Sequence, residues 1–98
     1  MPFKIHISVT AKKQLQKLRN DSSQDRCYKA VIKTLRFLEE NPRHPSLNTH
    51  EYTALSRELG CKVWEAYAQN HTPNAYRVFW TYGEEQGSIS IIAITGHP

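Results

Sequence analysis

The chain begins with a strict alternation of apolar and polar residues. In residues 3–9, Phe3, Ile5, Ile7 and Val9 alternate with lysine, histidine and serine. A period of two predicts a β-strand with one buried face, because successive side chains of a strand point to opposite sides. The polar positions predict that the other face meets solvent, so we expect this strand near the edge of a sheet.

The pattern then changes to helical spacing and predicts two consecutive helices. Thr10 is expected to cap a helix that runs to about residue 19, because its hydroxyl oxygen can accept from a free backbone N–H. Ser22, with Asp25 three residues later, resembles a capping box and predicts the start of a second helix. That helix is expected to run to about Glu40, where an Asn-Pro pair follows. Its apolar stripe consists of Cys27, Val31, Leu35 and Leu38.

The second half of the chain predicts three more strands. Prolines and polar residues predict a loop over residues 43–54, and residues 55–60 predict a short helical turn that leads to Gly60. From Cys61 onwards the period is two again, in "KVWEAYAQ", "AYRVFWTY" and "SISIIAIT". In the last strand we expect Ile89 and Ile91 on one face and Ile94 on the other. The order β-α-α-β-β-β predicts an α+β fold, in which a helical hairpin covers one face of a small, mostly antiparallel sheet.

Length and composition narrow the class of protein. A chain of 98 residues predicts a single domain, residues 1–98. Its apolar runs are shorter than the ~20 residues of a membrane helix, and the amino terminus lacks the apolar stretch of a signal peptide, so we expect a cytoplasmic protein and no membrane partner. Cys27 and Cys61 lie outside any CxxC motif, and we expect neither a metal site nor a cofactor.

The basic residues are concentrated in the first half of the chain. Residues 1–43 contain ten Lys or Arg and four Asp or Glu, whereas residues 44–98 contain three and five. A basic half is typical of a protein that binds a polyanion, although a solvated helix surface has the same composition.

One charged residue stands out in the middle of an apolar strand. Period two places Tyr76 and Val78 toward the helices, so Arg77 is expected on the opposite, open face. A guanidinium there can bind phosphate through two parallel hydrogen bonds, and it stays charged at any working pH. Glu65 and Tyr67 are predicted to share this face, where Tyr67 can stack on a base. Alternatively, Arg77 forms a structural ion pair with Glu65 across two neighbouring strands.

The motifs of the second half, taken in order, resemble those of a known superfamily. The ordered set consists of Trp64-Glu65, Tyr76-Arg77-Val78 and Gly96-His97. This set resembles the RelE/ParE superfamily, the toxins of bacterial type II toxin–antitoxin pairs. The RelE-like branch consists of ribonucleases that cleave mRNA, often at the ribosome, and the ParE-like branch inhibits DNA gyrase. In both branches a cognate antitoxin wraps the toxin and silences it.

The resemblance to the RelE-like branch implies roles for individual residues. Arg77 would stabilise the charge on the scissile phosphate, and His97 would act as the acid that protonates the leaving 5′-oxygen. Glu65 or His44 would act as the base for the 2′-hydroxyl. Basic residues of the first helix would contact RNA, namely Lys12, Lys13, Lys17 and Arg19.

The resemblance also leaves alternatives open and predicts a surface for the antitoxin. Where related ribonucleases carry lysines, this chain has Val63 and Glu65, so a gyrase inhibitor or an inactive toxin-like binding domain are alternatives to the ribonuclease. The antitoxin is expected to cover apolar surface on the open face of the sheet, formed by Val63, Tyr67 and Phe79.

Overall fold

A computed structural model describes residues 2–70 and 74–96, and these residues form three α-helices and one five-stranded sheet. The helices are α1 (Val9–Arg19), α2 (Asp25–Glu40) and α3 (Thr53–Leu59). The strands are β1 (Lys4–Ile7), β2 (His50–Glu51), β3 (Trp64–Tyr67), β4 (Tyr76–Tyr82) and β5 (Ser88–Gly96).

The sheet has the order β1-β5-β4-β3-β2. The edge strand β1 is parallel to β5, and the other neighbouring pairs are antiparallel. Helices α1 and α2 pack against each other and against β5 and β4. The predicted α+β architecture, a helical hairpin on one face of a mostly antiparallel sheet, is therefore confirmed.

The start of α1 differs from the prediction by two residues. Ser8 has an extended backbone, and its Oγ accepts a hydrogen bond of 3.0 Å from the backbone N–H of Ala11. Ser8 therefore caps the helix in place of Thr10. Val9 lies in the first turn of α1 with 69% of its surface exposed, so its predicted place on the apolar face of the first strand is wrong.

The predicted capping box of the second helix is also wrong. Ser22 begins a short 3₁₀ turn, and Asp21 caps that turn by accepting hydrogen bonds from the backbone and the hydroxyl of Ser23. These two hydrogen bonds lower the pKa of the Asp21 carboxyl below its ordinary value. Helix α2 starts at Asp25 without a side-chain cap, and its predicted end at Glu40 is confirmed.

Residues 43–54 contain an edge strand in place of a continuous loop. The two-residue strand β2 pairs with β3, and the backbone N–H of Tyr52 continues this pairing by donating to the carbonyl of Val63 at 2.8 Å. In α3, the Ser56 hydroxyl accepts from the Val63 N–H at 2.8 Å. Gly60 ends α3 with a φ of 73°, a left-handed conformation that glycine adopts without strain. The observed order of elements is β-α-α-β-α-β-β-β.

A register change between β4 and β5 sets the composition of the core. Phe79 pairs with Ala93, but Trp80 pairs with Ile91, so the pairing skips Ile92. This bulge moves Ile94 onto the face that carries Ile91. The prediction that Ile94 lies on the other face is therefore wrong. The buried core on the helix side includes Val31, Leu38, Ala66, Val78, Trp80, Ile89, Ile91 and Ile94.

The apolar surface predicted on the open face is largely covered. Val63 has no exposed surface, and Phe79 is only 7% exposed. The ring of Tyr52, which follows β2, packs edge-on against the ring of Phe79 at 5.0 Å between centroids. Only Tyr67 of the three predicted residues is partly exposed, so an antitoxin surface built on Val63 and Phe79 is wrong.

The helices of the described residues are all too short or too polar to cross a lipid bilayer.

A hydrogen bond between α1 and β5 generates a prediction about folding stability. The backbone N–H of Ile94, which is buried beside the bulge, donates to Gln14 Oε1 on α1 at 2.6 Å. Replacing this acceptor in Gln14→Met leaves a buried N–H without a partner, so we expect the free energy of unfolding to fall by about 1–3 kcal/mol.

Urea unfolding followed by circular dichroism measures this loss. Gln16→Met is the matched control, because Gln16 is exposed on the same helix and should change stability by less than ~0.5 kcal/mol. Equal stability of the two variants would show that the hydrogen bond from Ile94 to Gln14 does not stabilise the fold.

Candidate functional site

Four side chains form a cluster on the sheet face opposite to α1 and α2. We call it the open-face cluster, and it consists of His50, Glu65, Tyr67 and Arg77. The strand register brings them together, because Tyr67 lies opposite Arg77 and His50 lies opposite Glu65. Strand alternation places all four on one side, as predicted for Arg77, Glu65 and Tyr67.

The centre of the cluster is an ion pair between Arg77 and Glu65. Arg77 Nη1 lies 2.7 Å from Glu65 Oε2, and the two side chains are only 14% and 7% exposed. The guanidinium carbon of Arg77 also lies 4.4 Å from the centre of the Tyr67 ring, in cation–π geometry. The Glu65 carboxylate and the Tyr67 ring therefore hold the Arg77 side chain in one position.

Because the ion pair is buried, loss of one partner costs more stability than it would on the surface. An exposed cross-strand pair contributes only tenths of a kcal/mol, whereas loss of one partner of a buried pair leaves a charge without compensation. Arg77 Nε is also buried, and it has no hydrogen-bond partner among the described residues. The ion pair with Glu65 therefore leaves this donor of Arg77 unused.

His50 joins the cluster through the pairing of β2 with β3, which the sequence did not predict. Its ring lies 5.8 Å from the Tyr67 ring in an edge-on arrangement, and the residue is exposed. A two-residue strand is too short to show alternation, so only the pairing of β2 with β3 reveals this position. An exposed imidazole on this face is a candidate for proton transfer.

His44 lies apart from the open-face cluster. Its Nδ1 accepts a hydrogen bond of 3.1 Å from the backbone N–H of Ser46, and its ring stacks on Phe37 at 4.4 Å. It lines a pocket with Trp64 and Trp80, which belong to the helix side of the sheet. The structure therefore does not bring His44 together with Arg77. His97, the other predicted histidine, is outside the described residues.

The four basic residues proposed for α1 are all exposed. They lie on the helix that covers the opposite side of the sheet from the open-face cluster. Lys17 lines a groove together with Thr95, which is the β5 partner of Arg77 in the strand register. The other three are Lys12, Lys13 and Arg19.

Over residues 2–70 and 74–96, no three His, Cys, Asp or Glu side chains are grouped so that they could hold a metal ion.

Comparisons with known proteins identify the fold. No family model matches the sequence, and no curated protein matches it. The YoeB/ParE toxin from Agrobacterium tumefaciens has a similar structure, with a TM-score of 0.73 at 8% identity over 97% of this chain and 99% of that chain. The archaeal RelE-RelB complex from Pyrococcus horikoshii OT3 gives a TM-score of 0.64 at 14% identity, over 98% and 96%. The YoeB-YefM complex from Staphylococcus aureus gives 0.64 at 12% identity, over 100% of both chains.

These similarities confirm the resemblance at the level of the fold. The chain folds as the RelE, ParE and YoeB proteins do, over essentially their whole length.

The burial of the ion pair predicts that its loss destabilises the fold more than the loss of an exposed ion pair does. Glu65→Ala leaves the Arg77 guanidinium buried and unpaired, so we expect a loss of about 3 kcal/mol in the free energy of unfolding. Adding Arg77→Met to this variant removes the uncompensated charge, and most of the lost stability should return.

Urea unfolding of the two single variants and the double variant measures the coupling between the residues. Glu85→Ala is the control, because Glu85 pairs with Lys4 at 3.7 Å on the exposed surface and should cost less than ~0.5 kcal/mol. Additive losses in the Arg77 and Glu65 variants would argue against the pair.

Proposed function

We propose that this protein is the toxin of a toxin–antitoxin pair, that residues 1–98 form one toxin domain, and that it cleaves mRNA in the cytoplasm, at the ribosome. The observation that carries this proposal is the open-face cluster on a RelE/YoeB-type fold. It combines a cation, a carboxylate, an imidazole and an aromatic ring on the sheet face that α1 and α2 leave uncovered.

Cleavage of RNA without a metal needs three groups. The 2′-oxygen attacks the neighbouring phosphorus while a base takes the 2′-proton, and the bond to the 5′-oxygen breaks as an acid protonates that oxygen. A cation stabilises the charge that develops on the phosphate oxygens. The products are a 2′,3′-cyclic phosphate and a free 5′-hydroxyl.

The ion pair offers a way to couple the base to the cation. Glu65 is the proposed base, and Arg77 is the proposed phosphate ligand. When the Glu65 carboxylate accepts the 2′-proton, it loses the charge that holds the Arg77 guanidinium. The guanidinium can then turn its donors to the phosphate oxygens, which gain negative charge in the same step. The positive charge of Arg77 thus becomes available to the phosphate in the step in which negative charge develops on the phosphate oxygens.

Other side chains are proposed as the acid, as the ring that stacks on a base and as the contacts to ribosomal RNA. His97 is the acid that the sequence resemblance implies, and His50 is a second candidate because it lies beside Tyr67 in the cluster. Tyr67 is proposed to stack on a base next to the scissile bond, with one face of its ring against Arg77. Exposed basic residues of α1 are proposed to contact ribosomal RNA.

A specific observation favours a second function. The Glu65 carboxylate neutralises Arg77, and Val63 and Glu65 occupy positions where related ribonucleases carry lysines. Both features suit a ParE-like inhibitor of DNA gyrase, which needs no acid or base, or an inactive toxin-like binding domain. An assay of DNA supercoiling identifies the gyrase inhibitor, and the absence of both supercoiling inhibition and mRNA cleavage identifies the inactive domain.

An antitoxin is proposed as the natural partner. The similar structures include complexes of RelE with RelB and of YoeB with YefM. This chain carries a formal net charge of +4, and four of its thirteen Lys and Arg residues are exposed on α1. An acidic chain that folds on this surface would gain electrostatic attraction, and it would cover the groups proposed to bind RNA.

Cleavage of RNA should depend on the planar guanidinium of Arg77. Arg77→Lys keeps a positive charge beside Glu65, so the fold should survive, but a lysine cannot reproduce two parallel hydrogen bonds to phosphate. We expect this variant to cut translated mRNA ~100-fold more slowly than the wild type. Mapping of new 5′ ends in a translation extract measures the rate.

The same assay identifies the acid. Loss of the true acid in His97→Ala or His50→Ala should reduce cleavage by ~100-fold or more, and loss of the bystander should not. Arg57→Lys, on exposed α3, is the control for a change of charge geometry elsewhere. Wild-type rates in the Arg77 and both histidine variants would overturn the assignment, and supercoiling inhibition without cleavage would support the gyrase function.

Purification of the protein from its own operon should recover a small acidic protein bound to it. The complex should weaken as salt concentration rises, since screening reduces the attraction between exposed charges. Size-exclusion chromatography at low and high salt measures this. If the operon yields only the free, non-toxic chain, the proposal of an antitoxin partner fails.

A further inference from the structure

A pocket on the helix side of the sheet is independent of the open-face cluster. It has a volume of about 390 Å³, and we call it the aromatic pocket. Trp64, Trp80 and Tyr82 form its floor, with ring centres 6.2 Å apart for the two tryptophans and 5.0 Å apart for Trp80 and Tyr82. The volume lies in the range of small-molecule sites. The planes of the two tryptophans are inclined by 30° and those of Trp80 and Tyr82 by 82°, so these rings can contact a planar ligand by stacking and edge-on.

Two residues of this lining carry buried polar atoms without partners. Among the described residues, neither Trp80 Nε1 nor Thr49 Oγ1 has a hydrogen-bond partner, although Trp80 is only 1% exposed. An unpaired buried polar group is costly, and most native proteins avoid it. Both atoms are also closed to solvent, so a ligand reaches them only if the surrounding side chains shift. A heteroaromatic ring with polar edge atoms could then pair with them, whereas a hydrocarbon could not.

Two cationic or hydrogen-bonding side chains complete the lining. Arg43 is exposed, and its guanidinium donates to anions such as phosphate. His44 Nδ1 accepts from the Ser46 N–H, so the proton of the neutral ring lies on Nε2, which is a donor. The lining therefore combines aromatic rings, buried polar atoms and a positive charge.

We propose that the aromatic pocket binds a nucleotide, with the base among Trp64, Trp80 and Tyr82 and the phosphate at Arg43. A base supplies a flat π-system together with ring nitrogens and exocyclic groups, and its phosphate supplies the anion. The nucleotide is either a free mononucleotide or one unit of an RNA strand, which share this chemistry. This inference does not depend on the proposed cleavage of RNA, because Arg77 and Glu65 lie on the other face of the sheet.

The intrinsic fluorescence of the protein reports on this site, because both tryptophans of the chain line the pocket. Mononucleotides of the four bases, ribose 5-phosphate, inorganic phosphate and a single-stranded RNA oligomer are titrated separately, with free tryptophan as the optical control. We expect saturable quenching by at least one mononucleotide or by RNA, and none by ribose phosphate or phosphate. Quenching by RNA alone assigns the site to a nucleotide within a strand.

Variants connect the signal to the pocket. Tyr82→Ala removes a stacking ring that is already 44% exposed, and Arg43→Gln removes the charge, so each should weaken binding ~10-fold. Arg57→Gln, on α3 outside the pocket, should leave affinity unchanged, and thermal unfolding checks that all variants fold. The proposal is overturned if neither nucleotides nor RNA quench the fluorescence, if phosphate alone quenches equally, or if both pocket variants bind as the wild type does.

Discussion

The register change between β4 and β5 is the constraint on which the rest of this fold depends. By skipping Ile92, the pairing places Ile91 and Ile94 on the same face, and α1 and α2 close over that face. Strand β1 pairs with β5 only as far as Ile91, and beyond that point the side chain of Gln14 on α1 accepts the hydrogen bond of the Ile94 backbone N–H. A helix therefore completes the hydrogen bonding of the sheet that it covers.

The same strand pairing leaves Arg77 and Glu65 on the opposite face, where their contact has two consequences. The contact places the guanidinium 2.7 Å from the carboxylate, and both side chains are nearly buried. Loss of either residue would leave the other charge buried and unpaired, which would destabilise the fold. The contact also neutralises the cation that the proposed reaction uses. A carboxylate that loses its charge on accepting a proton would reconcile the two. The ion pair would stabilise the resting protein, and the freed guanidinium would stabilise the charge on the phosphate in the transition state.

Two surfaces of different character thus lie on the two sides of β3 and β4. The open-face cluster is polar, with an ion pair beside the partly exposed Tyr67 and the exposed His50. The aromatic pocket is apolar at its floor and positive at Arg43. Period two along a strand makes this possible, since Trp64 and Glu65 are neighbours in sequence and serve opposite faces.

Local periodicity was enough to place Arg77, Glu65 and Tyr67 on one face, because alternation is a property of each strand by itself. It also predicted the two long helices and the α+β class. The bulge could not be predicted from the sequence. In "SISIIAIT" both faces of the strand are apolar, so the pattern is the same with or without the extra residue. The packing of residues 43–60 against β3 decided three further features of the site. It buries Glu65, places His50 in the open-face cluster, and leaves His44 on the other side of the sheet. These features depend on contacts between segments distant in sequence, and no local pattern records them.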